Sequence, residues 1–191
     1  MARQRYRPQD LGNQRDSRGR PYRESFDATL APGAGISAGV GTKYLTSVIR
    51  QGTRIVTTIT MDLTGLSSTT TDLDIIGTAG VCHIGYIDPA VCGTILSGTM
   101  RCMETPAGGA DDIDLYSATV GTGAYDVIVT NLTETVCITN GAAWAANDIK
   151  SIVPDSITSA SPYLYLTGGE AGTAAAYTAG RFEIQLVGYA A

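Results

Sequence analysis

The sequence predicts an all-β fold: a β-sandwich or jelly-roll-like body carrying a flexible, basic N-terminal arm. Three observations lead there. Glycine (23) and threonine (25) make up about a quarter of the 191 residues, and threonine favours strands while glycine favours turns. Several stretches alternate apolar and polar residues with a period of two, the mark of a half-buried strand. Turn-forming clusters separate those stretches at short intervals, as in sandwiches and barrels. The two lysines and the missing heptad spacing argue against a coiled coil. No apolar run approaches the ~18 residues of a membrane-spanning helix, so no membrane association is expected.

The charge is divided along the chain. Residues 1–27 hold seven arginines against four acidic residues, +3, whereas residues 28–191 carry −8, for a formal net charge of −5. A basic tail on an acidic body is a pattern of interaction segments. With few aliphatic residues and two prolines, the arm cannot bury enough surface to offset its ordering entropy. It is expected to be flexible when free. Arginine and tyrosine are favoured at interfaces, which makes Arg3, Arg5, Tyr6, Arg7, Arg15, Arg18, Arg20, Tyr22 and Arg23 the candidate partner-binding residues. The plainer reading of the same segment is a solubilising tail.

Residues 28–53 read as a Gly-rich hinge and linker, with Pro32, Gly33, Gly35, Gly39 and Gly41 close together. The sandwich body is then expected over residues 54–191. Its first strand is clear: Ile55, Thr57, Ile59, Met61 and Leu63 form one face of residues 54–63, and Arg54, Val56, Thr58, Thr60 and Asp62 the other. Residues 81–87 form a second candidate strand, closed by Asp88-Pro89. Residues 94–104 alternate as well, with Leu96, Met100 and Cys102 on one side. Residues 163–167 are a short strand, and Phe182, Ile184 and Leu186 define the last. Residues 125–150 follow neither pattern, and 142–146 admit a short helix. No internal repeat is visible.

The four cysteines, Cys82, Cys92, Cys102 and Cys137, contain no C-x-x-C pair, and only one histidine is present to assist them. Zinc sites show closely paired ligands, so these residues read as free core thiols, in keeping with a chain without an export signal. No cofactor is expected. Gly35-Ile36-Ser37-Ala38-Gly39 matches the nucleophile elbow literally, and Gly33-x-Gly35-x-x-Ala38 resembles a dinucleotide fingerprint. Both motifs require a preceding strand, and residues 30–34 do not supply one, so the chain is not expected to be an enzyme. His83 reads as a surface or packed strand residue. Asp111, Asp112 and Asp114 lack the ligand number and spacing of a calcium loop and read as a solvated loop that anchors Ile113 and Leu115. Whether this loop holds an ion stays open.

Residues 103–116, METPAGGADDIDLY, followed by GTGAYD at 121–126, resemble a family of small virion structural proteins of tailed bacteriophages, especially marine ones. The stretches YLYLTGG at 163–169 and YTAGRFEI at 177–184 are similar to the same group. The likeness spans roughly residues 54–190 and leaves the arm outside. It implies a capsid decoration (cement) protein located in the virion, assembled in the host cytoplasm, with the major capsid protein as partner and a homotrimer as the expected oligomer. The alternatives are a head-fibre or tail-associated component, or a genome-contacting protein acting through the arginine-rich arm. Beyond non-specific contact by that arm, nucleic-acid binding is not expected, because the body is acidic.

Overall fold

A computed structural model describes residues 28–169 and 174–190. The chain forms α1 (Ala34–Ser37), β1 (Tyr44–Gln51), β2 (Arg54–Asp62), β3 (Gly85–Tyr86), α2 (Pro89–Cys92), β4 (Thr94–Ala107) and β5 (Ile113–Ala118). A 3₁₀ turn (Val129–Leu132), β6 (Glu134–Ile138), β7 (Ile149–Ser151), β8 (Tyr163–Gly168) and β9 (Ala179–Tyr189) follow. Two antiparallel sheets result, a five-stranded one ordered β1-β2-β9-β4-β7 and a four-stranded one ordered β3-β8-β5-β6. This is the all-β sandwich expected from the sequence. Among the described residues no helix is long and apolar enough to cross a membrane.

The five-stranded sheet forms for the reason its sequence suggests. On β2, Ile55, Thr57, Ile59 and Met61 turn inward, and β9 contributes Phe182, Ile184 and Leu186 at matching register positions. β4 adds Met100 and Cys102. The four-stranded sheet lies over this face: Gly85, opposite Leu164 in the register, sits above Ile59, and a Cβ there would lie 3.3 Å from Ile59 Cδ1. Leu164, Leu166, Leu115 and Ile113 therefore share the inner side and join one hydrophobic core. On the far side of the four-stranded sheet, which carries Tyr165, Tyr116 and Asp114, residues 120–123 cover Tyr165, and Asn140 reaches Asp114. Tyr165 donates its hydroxyl to the Val120 carbonyl at 2.9 Å, and Val129 and Leu132 belong to the same core.

Two further aromatic residues fasten loops to this frame. The Trp144 indole N–H donates to the Ile113 carbonyl at 2.7 Å, and its ring meets Phe182 edge-on at 5.3 Å, so it bridges β5 and β9. Tyr177 donates to the Ala110 carbonyl at 2.8 Å. Buried Tyr and Trp need such partners for their polar ends.

Several sequence expectations need correction. Residues 28–53 are not a hinge. Ile36 and Val48 are fully buried, and β1 pairs along β2 from Tyr44↔Met61 to Gln51↔Arg54. The glycines that suggested flexibility serve close packing: a Cβ at Gly35 would stand 2.4 Å from Cys82 Sγ. Residues 142–146 form no helix; within them the Trp144 backbone N–H is bonded to the Asp111 carbonyl and its indole to the Ile113 carbonyl. Within 81–87 only Gly85–Tyr86 is a strand. Leu96 does not share a side with Met100 and Cys102, because a bulge between Ile95 and Ser97 turns it outward.

Candidate docking surface

Among the described residues, the outer side of the five-stranded sheet is a broad region of strand surface that no other element covers. Alternation puts Leu45 and Ile49 of β1 there, beside Thr60 and Val56 of β2. These in turn adjoin Glu183 and Val187 of β9, then Arg101 and Ser97 of β4, with Ile149 of β7 next to Arg101. One row across the sheet, Ile49–Val56–Val187–Ser97, is mainly aliphatic, with bulged Leu96 beside it. The next, Ser47–Thr58–Gln185–Thr99–Ser151, is polar and uncharged. At one end Arg181 reaches Asp62 at 3.5 Å and Glu104 at 3.6 Å, tying β2, β9 and β4 together. Burial of the Asp62 carboxyl works against its ionisation, but hydrogen bonds from Thr64 and the nearby Arg181 outweigh it and hold the carboxyl below its usual range.

A cleft opens beside this face. It has a volume of about 240 Å³ and is walled by Ile87, Thr94, Ile95 and Ile157, with Asp155 and Ser159 also lining it. α2 shapes one wall: Asp88 caps it by accepting the Ala90 N–H at 2.9 Å, and Pro89 occupies its first turn. The turn from α2 into β4 needs Gly93, whose φ is 71° and where a Cβ would lie 2.6 Å from the Tyr189 carbonyl oxygen. A shallower groove between Leu96 and Val153 runs on from Ile95, Asp155 and Ile157, so the cleft is continuous with the exposed sheet. Its lining offers hydroxyls, one carboxylate and aliphatic walls, a set suited to receiving a side chain from a partner.

No family model matches this chain, and no curated protein matches it. Among solved structures, the chain is similar to one in the capsid asymmetric unit of cyanophage Pam1, with 16% identity and a TM-score of 0.37 over 90% of this chain and 99% of that one.

The candidate partner-binding residues Arg3, Arg5, Tyr6, Arg7, Arg15, Arg18, Arg20, Tyr22 and Arg23 lie outside the described residues. The described chain begins on the open side of β1, where the Ala28 carbonyl accepts the Val48 N–H at 3.1 Å and Leu30 and Thr46 are bonded through the Thr46 hydroxyl. The two enzyme-like motifs fall on α1. The Ser37 hydroxyl points back to the Gly33 and Ala34 carbonyls, each at 3.3 Å. His83 packs between Tyr163 and Tyr165, and burial lowers its pKa.

All four cysteines are free and buried, as expected, and burial raises each thiol pKa. The aspartate loop differs from expectation: Asp112 and Asp114 are buried rather than solvated. Asp114 lies on β5, where it accepts the Asn140 N–H at 2.7 Å, and burial pushes its pKa up to about 6. Among the described residues no group of three or more His, Cys, Asp or Glu side chains is arranged to hold a metal ion. Sequence reasoning missed the exposed face altogether. The available signal is the aliphatic content of the outward positions, with Leu45, Ile49 and Val56 on strands that also carry Thr or Ser, and Val187 on β9.

Proposed function

We propose that the chain is a non-enzymatic structural protein of a bacteriophage virion, a capsid decoration or cement subunit that binds the assembled shell through its body and its basic arm. One observation carries this reading. The stretches that resemble small phage virion proteins include parts of β4, β5, β8 and β9, which are central strands of the two sheets, together with the connections at residues 108–112 and 121–126. The likeness thus runs through the frame of the body and two of its connections. The partner is the major capsid protein, the assembly is a homotrimer, and no cofactor takes part. A subunit that binds only the assembled lattice raises the free energy needed to disassemble it. An arm and a body contact joined in one chain reinforce each other through effective concentration.

The test uses particles that lack this protein. Full-length chain added back is expected to bind them and to raise their disruption temperature, and a chain lacking residues 1–26 to bind more weakly. The arm's contribution should shrink as salt is raised, since exposed charges are screened over roughly 8 Å at physiological ionic strength. Absence of the protein from purified particles, or full-length chain that leaves their stability unchanged, overturns the reading. Tight, sequence-selective duplex binding at physiological salt would instead promote the genome-contacting alternative.

A further inference from the structure

We infer that the outer face of the five-stranded sheet is the surface through which this chain packs against a second copy of itself. Six of the eleven exposed large hydrophobic residues among those described, Leu45, Ile49, Leu96, Met103, Ile149 and Tyr189, lie on its five strands, and Val153 stands at its rim. Leu45 is 71% exposed, Ile149 58% and Leu96 54%. Ile49, Val56 and Val187 adjoin one another across β1, β2 and β9 with Leu96 beyond them, and an apolar row of this kind marks an interaction site. Leu45 and Ile149 stand at the two edges, with Thr60, Glu183 and Arg101 between them.

Charge selects the occupant. The outward charged side chains of these strands are Arg54, Arg101 and Arg181 against Asp62, Glu104 and Glu183, a balance of zero. The whole −8 of residues 28–191 therefore falls off this face. Two copies meeting through other surfaces bring like charge together, whereas this face lets them approach without repulsion. Glu183 sits opposite Arg101 on adjacent strands, so these two charges lie side by side within the face and leave it neutral at its centre. The arginine-rich arm fits poorly here, because the face offers it no net negative charge. Area agrees as well. Five strands about 4.8 Å apart and about eight residues long give on the order of 600 Å² per copy. That reaches the lower limit of specific interfaces, about 1,200 Å² in total. This inference rests on the self-association in the virion reading: a monomeric wild type overturns the homotrimer with it, whereas binding to the shell is tested separately on particles and stands or falls on its own.

The experiment measures the mass of the purified full-length chain by light scattering and sedimentation across concentration. Wild type is expected to run as two or three copies. Leu45→Glu combined with Leu96→Glu is expected to weaken self-association at least tenfold and to leave the circular dichroism of the chain unchanged. Val40→Glu, at a site 87% exposed and off the face, is expected to leave the mass unchanged and controls for added charge. Because Leu45 and Leu96 point to solvent, loss of folding is not expected. Should the double variant lose folding, Ile149→Lys alone provides the same reading. A monomeric wild type, an oligomer indifferent to these substitutions, or one abolished only by removing residues 1–27 each overturns the inference. A monomeric wild type whose double variant fails to bind particles would assign the face to the shell instead.

Discussion

The two sheets of the sandwich are built under different constraints. The five-stranded sheet has one covered face, and β2 and β9 alternate: along β9, Phe182, Ile184 and Leu186 are buried while Glu183 and Gln185 are not. The two middle strands of the four-stranded sheet, β5 and β8, are covered on both sides, while Tyr86 of β3 and Val136 of β6 stay exposed at its edges. Every residue of β5 is buried, Asp114 and Ser117 included. A doubly covered strand must satisfy each polar group it carries from inside the protein. Ser117 does so by donating its hydroxyl to the Ser156 carbonyl, and Asp114 by accepting from Asn140. The Thr167 hydroxyl, opposite Asp114 in the register, has no hydrogen-bond partner. The covered sheet supplies stability and the open one supplies surface, so substitutions in the two should differ in kind.

The largest expected effect comes from the clamp between the sheets. Trp144→Ala removes a fully buried ring and leaves the Ile113 carbonyl without its donor, so a loss of about 3–5 kcal/mol is expected. Leu45→Ala on the open face should stay within about 0.5 kcal/mol for the isolated subunit. Denaturant midpoints at subunit concentrations below self-association test the pair. Equal losses would abolish the distinction between covered and open faces.

A second contrast is one of pH. The Asp114 pKa is raised from 3.8 to about 6, with burial the largest cause. The folded state thus binds this proton more tightly than the unfolded chain does. The resulting stability is fully present below about pH 4 and is lost as pH rises through about 6. Asp114→Asn keeps an oxygen able to accept the Asn140 N–H and removes the cost of ionisation. It should be more stable than wild type at pH 8, by on the order of 1–3 kcal/mol, with the difference shrinking toward pH 4. A constant difference across that range would show that the carboxyl does not titrate with folding.

This asymmetry also explains what the sequence discloses. β2 and β9 are legible because one face is wet, and alternation survives as a pattern. β5 is not, because a strand buried on both sides has no reason to alternate, and its Asp114 and Ser117 imitate a polar loop. The same failure affected residues 28–53, where glycines needed for close approach to Cys82 and its neighbours look like glycines that confer freedom. Trp144 was misplaced because its role is tertiary: flanking alanines suggest helix locally, and only Phe182 and Ile113, far along the chain, reveal a plug. The docking face depends on strand order and on the bulge that turns Leu96 outward, and neither is encoded within a single stretch.

The four buried thiols give a smaller and purely kinetic comparison. Burial raises each thiol pKa, which lowers the thiolate fraction available for reaction. Cys102 lies on the inner side of the open sheet, whereas Cys137 lies on β6 of the covered one. Both are expected to react with a thiol reagent only at the rate at which the protein opens, and at full rate in denaturant. Fast labelling of one cysteine in the native protein would identify the sheet that opens locally.

The smallest effect is expected where the open sheet carries its own charges. Arg181 is 43% exposed and Glu104 47%, so solvent screens their contact, whereas Asp62 is 11% exposed. Arg181→Ala should therefore cost at most about 1 kcal/mol, roughly 2–4 °C in Tm for a chain of this size. The difference should fall further in high salt. Its pH dependence runs opposite to that of Asp114. The Asp62 carboxyl is held below its usual range, so its contribution is present above about pH 4 and disappears as pH falls through the lowered folded value. Wild type and Arg181→Ala should converge in acid while wild type and Asp114→Asn separate toward alkaline pH, and thermal scans at pH 3 and pH 8 measure both. If Arg181→Ala instead costs several kcal/mol at neutral pH and high salt, the cluster of Asp62, Glu104 and Arg181 is shielded from water. The open face would then be less open than its exposed leucines indicate.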